Sequence, residues 1–99
     1  MHISELETPA VAVDVDVLER NLASMAEYAG RHGLQLRPHT KTHKIEAIAQ
    51  MQMRHGSQGL TVAKSEEAEV MAHAGCADIL VAYPVCGQAK WQRLARLAR

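Results

Sequence analysis

Eight consecutive residues, Arg37-Pro38-His39-Thr40-Lys41-Thr42-His43-Lys44, hold the densest chemistry in the chain. Five of the eight side chains are cationic or become so on protonation. Such a cluster attracts a phosphate-bearing ligand through charge-assisted hydrogen bonds. A lysine crowded by Arg37, Lys44 and two histidines is driven toward the free amine by like charge and desolvation. A Schiff-base lysine needs that form, because only the free amine attacks an aldehyde. A solvated basic loop is the competing reading of the same residues.

Other site chemistries fare worse. His39 and His43 have the H-x3-H spacing of some zinc sites, but the pair shares a face only on a helix. His39 follows Pro38 at a strand end, and no Cys or carboxylate stands at ligand spacing. A metal site built from this chain alone is therefore not expected. Neither GxGxxG nor GxxxxGK[ST] occurs, which removes the usual nucleotide loops. GxSxG is absent too. Cys76 and Cys86 lie ten apart without CxxC spacing, and are expected as free thiols in a reducing cytoplasm. Met25, Met51 and Met53 read as core filler, and Arg93, Arg96 and Arg99 as a solvated helix face.

The elements that must position the octapeptide follow a simple rhythm of short apolar run, then helical pattern. Ala10 to Val15 reads as a buried strand, with Asp16 and Glu19 as a capping box and Leu18, Leu22, Met25 and Ala29 as the helical stripe. Leu34 to His39 is the second strand, followed by a helix with Ile45, Ile48, Ala49 and Met53 on one face. Residues 59–63 form the third strand, followed by a helix from Ser65 with Glu66 and Glu67 where the dipole favours acids. Residues 78–83 are the fourth, and a helix runs from Gln88 to Arg99. Gly33, Gly56 and Gly75 stop the first three helices.

Strict alternation of strand and helix predicts a parallel sheet with right-handed crossovers. A small doubly wound sheet and four units of an eight-unit barrel both satisfy it. In either, ligands bind where strands end, and the octapeptide lies there. Strand alternation sets Gln35, Arg37, His39 and Lys41 on one face, with Leu34 and Leu36 on the other.

Composition narrows the partners. Lys plus Arg is 11 and Asp plus Glu is 11, so no net charge draws the chain to nucleic acid or an anionic membrane. Tyr28, Tyr83 and Trp91 are the only aromatics, too few for base-stacking platforms. No run nears the ~20 apolar residues of a membrane span, and the first residues lack signal-peptide order.

The octapeptide resembles the R-P-H-x-K-T-H-K signature of the D-threonine aldolase and D-serine dehydratase family. Three other segments agree in order and spacing: Glu7 to Asp14, Glu67-Ala68-Glu69 with Ala74-Gly75, and Asp78 to Pro84. Together they span about residues 6 to 90. The resemblance implies four consecutive βα units of a truncated TIM (βα)8 barrel of the alanine racemase N-terminal type, which decides against the doubly wound sheet. It implies that residues 1–99 are the N-terminal part of a domain binding pyridoxal 5'-phosphate. Lys41 corresponds to the lysine that carries the cofactor, with Lys44 the runner-up; Arg37 and His39 are its neighbours.

The activity implied is a pyridoxal-phosphate-dependent lyase acting on D-3-hydroxy amino acids, cleaving them to glycine and an aldehyde. D-serine dehydratase is the alternative, and a non-catalytic half-barrel interaction module is another. Family members are several times longer, and a homodimer is expected for the parent protein. Their later barrel loops hold the cofactor phosphate and ring nitrogen, and a C-terminal domain bears the divalent-metal ligands. The chain is thus expected to be a fragment, inactive alone.

Overall fold

Parallel pairing of Leu60–Val62 (β1) with Ile79–Val81 (β2) is the centre of the structure, a computed structural model that describes residues 1–99. Leu60 pairs with Ile79, Thr61 with Leu80 and Val62 with Val81. On the other side of β1, His39 forms a parallel bridge to Thr61. The order is therefore that of the sequence: segment 36–39, then β1, then β2. A doubly wound order would have interposed a strand, and none is.

Four helices accompany this sheet: Val15–Arg31 (α1), Glu46–Arg54 (α2), Ser65–His73 (α3) and Gln88–Leu97 (α4). Each packs on the next in chain order, and α3 lies on both strands. That is one helical layer outside one sheet, as right-handed crossovers in a barrel require.

The core follows from strand alternation. Leu60, Val62, Ala68 and Met71 are buried together with Ala49, Ala74 and Cys76. Leu60 and Val62 thus face α3, and full burial of each large side chain is worth about 1.5–3 kcal/mol. Gly59 and Thr61 take the opposite face, where Leu80 is half exposed. Gly33, Gly56 and Gly75 each follow a helix at positive φ, as predicted.

Several expectations need correction. Residues 10–14 form no strand: no neighbouring strand takes their hydrogen bonds, and Val11 is fully exposed. The cap of α1 is Asp14, whose Oδ1 accepts from Val17 N at 3.0 Å, and not Asp16. Glu19 instead meets His55 Nε2 at 2.6 Å and ties α1 to α2. Ala26 replaces Met25 on the buried stripe, since Met25 is largely exposed.

Segment 34–39 is extended but not a regular strand. Gln58 N donates to Leu36 O and Thr61 N to Pro38 O, yet Pro38 has no N–H to return. The ladder is broken by that residue. At the far end, Arg93 is no solvated residue of α4: it donates to Ser65 Oγ at 3.0 Å and Glu66 at 2.9 Å, fastening α4 to α3.

Candidate active site

Lys41 does not continue the parity of Arg37 and His39, because the extended segment ends before it. Residues 41–43 form a turn instead. Thr40, fully buried, donates its N–H to Thr61 O at 2.9 Å and its hydroxyl to the same oxygen at 3.2 Å. Lys44 N closes the turn on Thr40 O at 2.8 Å. Lys41 therefore projects from a loop nailed to β1 where the strands end.

Both histidines of the octapeptide serve this loop. His39 Nδ1 accepts from Lys41 N at 3.2 Å, and His43 Nδ1 accepts from Ile45 N at 2.9 Å. Each ring thus takes up a backbone N–H two residues on, as Asn and Asp do in turns. With Nδ1 accepting, the neutral ring carries its proton on Nε2. Two rings so engaged do not make the zinc pair that their spacing suggested. Burial lowers the His43 pKa below the ordinary histidine value, with Gln52 acting against it. No group of three or more His, Cys, Asp or Glu side chains gathers as a metal would need.

Lys44 lies outside α2, in the left-handed region at φ +54. Its Nζ stands 3.6 Å from Glu67 Oε1, and Glu67 Oε2 accepts from Ala63 N at 2.8 Å. In the sequence Glu67 stands as a helix-dipole acid and as part of the Glu67-Ala68-Glu69 segment, not as a site residue. Its signal was a carboxylate three residues into a helix that begins just past a buried strand.

Arg37 is set apart from this group. It donates from Nη1 to Asp78 Oδ1 at 2.8 Å and from Nη2 to Oδ2 at 2.6 Å. That pair lies toward the strand N-termini, in the layer of Gly59, whereas Lys41 lies beyond the C-terminal ends. The structure gathers His39, Lys41, Lys44 and Glu67, and leaves Arg37 with Asp78.

A cavity of about 790 Å³ opens at the C-terminal ends of β1 and β2, with Lys44, Lys64, Glu67, Tyr83 and Lys90 among its lining. Lys41 is not in that lining. Lys41 is exposed on this braced loop and is in no ion pair with a carboxylate, so its amine is open to an aldehyde-bearing ligand. No backbone loop in residues 1–99 offers a phosphate cradle of the glycine-rich kind.

A one-sided parallel βα array with its reactive side chains past the strand ends defines a barrel-type ligand-binding domain. The chain belongs to the family of the alanine racemase N-terminal domain, whose model matches residues 13–98. It is 42% identical to 3-hydroxy-D-aspartate aldolase of Paracoccus denitrificans over 100 aligned positions, covering 100% of this chain and 26% of that protein. Its fold superposes on D-threonine aldolase from Filomicrobium marinum with a TM-score of 0.92 and 44% identity, covering 97% of this chain and 26% of that one. Against D-threo-3-hydroxyaspartate dehydratase from Delftia sp. HT23 the TM-score is 0.84 at 36% identity, over 94% and 24% of the two chains. The chain thus spans about a quarter of the length of the relatives it matches.

Proposed function

We propose that the whole protein is a pyridoxal-phosphate-dependent lyase that cleaves D-3-hydroxy amino acids to glycine and an aldehyde, with Lys41 as its cofactor lysine. The observation that carries this is the placement of Lys41, an unpaired amine on a loop fixed to Thr61 at the strand ends. Relatives bearing aldolase names align along the full chain, which supports the reaction class. Bound pyridoxal phosphate supplies an electron sink for the carbanion left when a bond to Cα breaks.

The residues in hand divide the work. Lys41 supplies the amine that binds the cofactor aldehyde, and His39 borders it with its ring fixed through the Lys41 amide. A dehydratase is the second reading, favoured by the likeness to the Delftia structure. A homodimeric state and a divalent metal held outside these residues belong to the same proposal and rest on the family resemblance, and a cytoplasmic location rests on the free thiols of Cys76 and Cys86.

The test is product analysis with the whole protein and its cofactor on D-threonine and D-threo-3-hydroxyaspartate. Glycine with an aldehyde is expected, with no turnover of L-isomers. Ammonia with a 2-oxo acid would replace the aldolase by the dehydratase. Formation of neither product pair would overturn the lyase reading.

A further inference from the structure

We infer that Glu67 is a positioning residue for Lys41, acting through Lys44 at the far end of the turn. This rests on the assignment of Lys41 proposed above. Glu67 has only 8% of its side chain exposed, and a carboxylate so buried is costly unless both oxygens are engaged. One oxygen takes the amide of Ala63, the residue just past β1. The other faces the Lys44 ammonium. Glu67 therefore joins three elements at one point: the end of β1, the first turn of α3 and the end of the Lys41 loop.

Lys44 shows that this contact has been kept at some expense. Its φ of +54 is a conformation glycine or asparagine adopts more readily than lysine. A strained residue persists where its surroundings over-determine it, and here the surroundings are Glu67 and the Thr40 carbonyl. Thr40 fixes the near end of the loop and Lys44 the far end, with Lys41, Thr42 and His43 between. A loop pinned at both ends presents its amine in one place, and binding then costs less ordering.

Two accounts of Lys44 make opposite predictions. If Lys44 acted only as a positive charge near an anionic cofactor, removing the Glu67 charge would tighten cofactor binding. If Glu67 positions the loop, removing it loosens binding.

The experiment titrates whole apo-protein with pyridoxal phosphate, alongside melting curves and borohydride trapping mapped to residues. Glu67→Gln is expected to weaken cofactor affinity tenfold or more and slow trapping at Lys41. Lys44→Gly should weaken affinity to a similar degree, since it removes the partner of Glu67 while suiting the backbone. Lys44→Arg should restore most of the affinity, and the double variant Glu67→Gln/Lys44→Gly should be no worse than either alone. Unchanged or tighter binding in Glu67→Gln would overturn the positioning role. Should Glu67→Gln not fold, parent-like affinity in Lys44→Gly would overturn it instead. No adduct on Lys41 in the unmutated protein would overturn the cofactor-lysine assignment, and this inference with it.

Discussion

Arg37 and Asp78, 41 residues apart, meet in a two-point ion pair that passes over Gly59. The guanidinium also reaches the Asp78 carbonyl at 3.2 Å. It spans from the segment before Lys41 to the start of β2, skipping β1, and the skipped position is a glycine. A Cβ built on Gly59 runs into the guanidinium and into the Asp78 carbonyl. The extended segment 36–39 and the two strands beside it are thereby held in register below the site.

The pair should be visible in the acid limb of stability. Its hydrogen bond to Arg37 holds the Asp78 carboxyl below its ordinary value. A carboxylate depressed in the folded state adds stability above its unfolded pKa and loses it as pH falls through the folded one. Asp78→Asn in the whole protein should therefore melt lower at neutral pH, and the gap should close as the pH falls well below 4. A gap constant with pH would mean the pair contributes through shape alone.

Gly59→Ala should cost about 1–3 kcal/mol, the usual range for forcing an extra carbon into packed space. Part of that cost is the collision with Arg37, so it should shrink when Arg37→Ala is already present. A remainder is expected, since the Asp78 carbonyl stays. Chemical denaturation of the four proteins of this double-mutant cycle measures the coupling, and additivity within error would remove the proposed contact.

The helices and the order of the strands were legible because glycine stops and apolar stripes are local signals. Ser65 and Gly75 bounded α3 in the sequence as in the structure. Residues 10–14 were misread because β-branched composition marks a segment fit for a sheet, while a ladder also requires a neighbour. The motif singles out Lys41 as a candidate, but the turn that carries it was not legible. Parity arguments stop where an extended segment stops, and Thr40 stops it by donating twice to Thr61 O. Asp78 and Arg93 owe their roles to partners far along the chain, which no local pattern announces.

His43 should make stability fall on the acidic side of neutrality. Burial lowers its pKa in the folded protein, so below the ordinary value of 6.5 the unfolded chain binds more protons than the native one. Stability then rises with pH through that window and levels off above it. His43→Asn keeps an acceptor for Ile45 N and removes the titration. Its melting midpoint should be flatter than the parent's between about pH 7.5 and 5.5.

Residues 1–99 expressed alone should melt without a cooperative transition and show no lyase turnover. The hydrophobic core has seven buried residues, and Val11, Leu34, Leu80 and Trp91 stand exposed. So small a core leaves little to offset the conformational entropy of the chain. Calorimetry with a sharp two-state peak, or measurable glycine release, would contradict this.

Replacing the two lysines of the octapeptide separates their roles. Lys41→Ala should abolish borohydride-trappable cofactor and lower activity by several orders of magnitude, roughly three or more, as loss of a covalent catalyst does. Lys44→Ala should weaken cofactor binding but leave the trapped adduct on Lys41. The asymmetry follows from their partners: the Lys44 nitrogen is engaged by Glu67 at 3.6 Å, while Lys41 has no carboxylate in reach. The turn also separates them, since Lys44 closes it through its own amide and Lys41 projects from inside it. Peptide mapping after reduction decides the matter. A pyridoxyl group on Lys44 in the unmutated protein would reverse the assignment, because the amine facing Glu67 would then have to leave it before binding the cofactor.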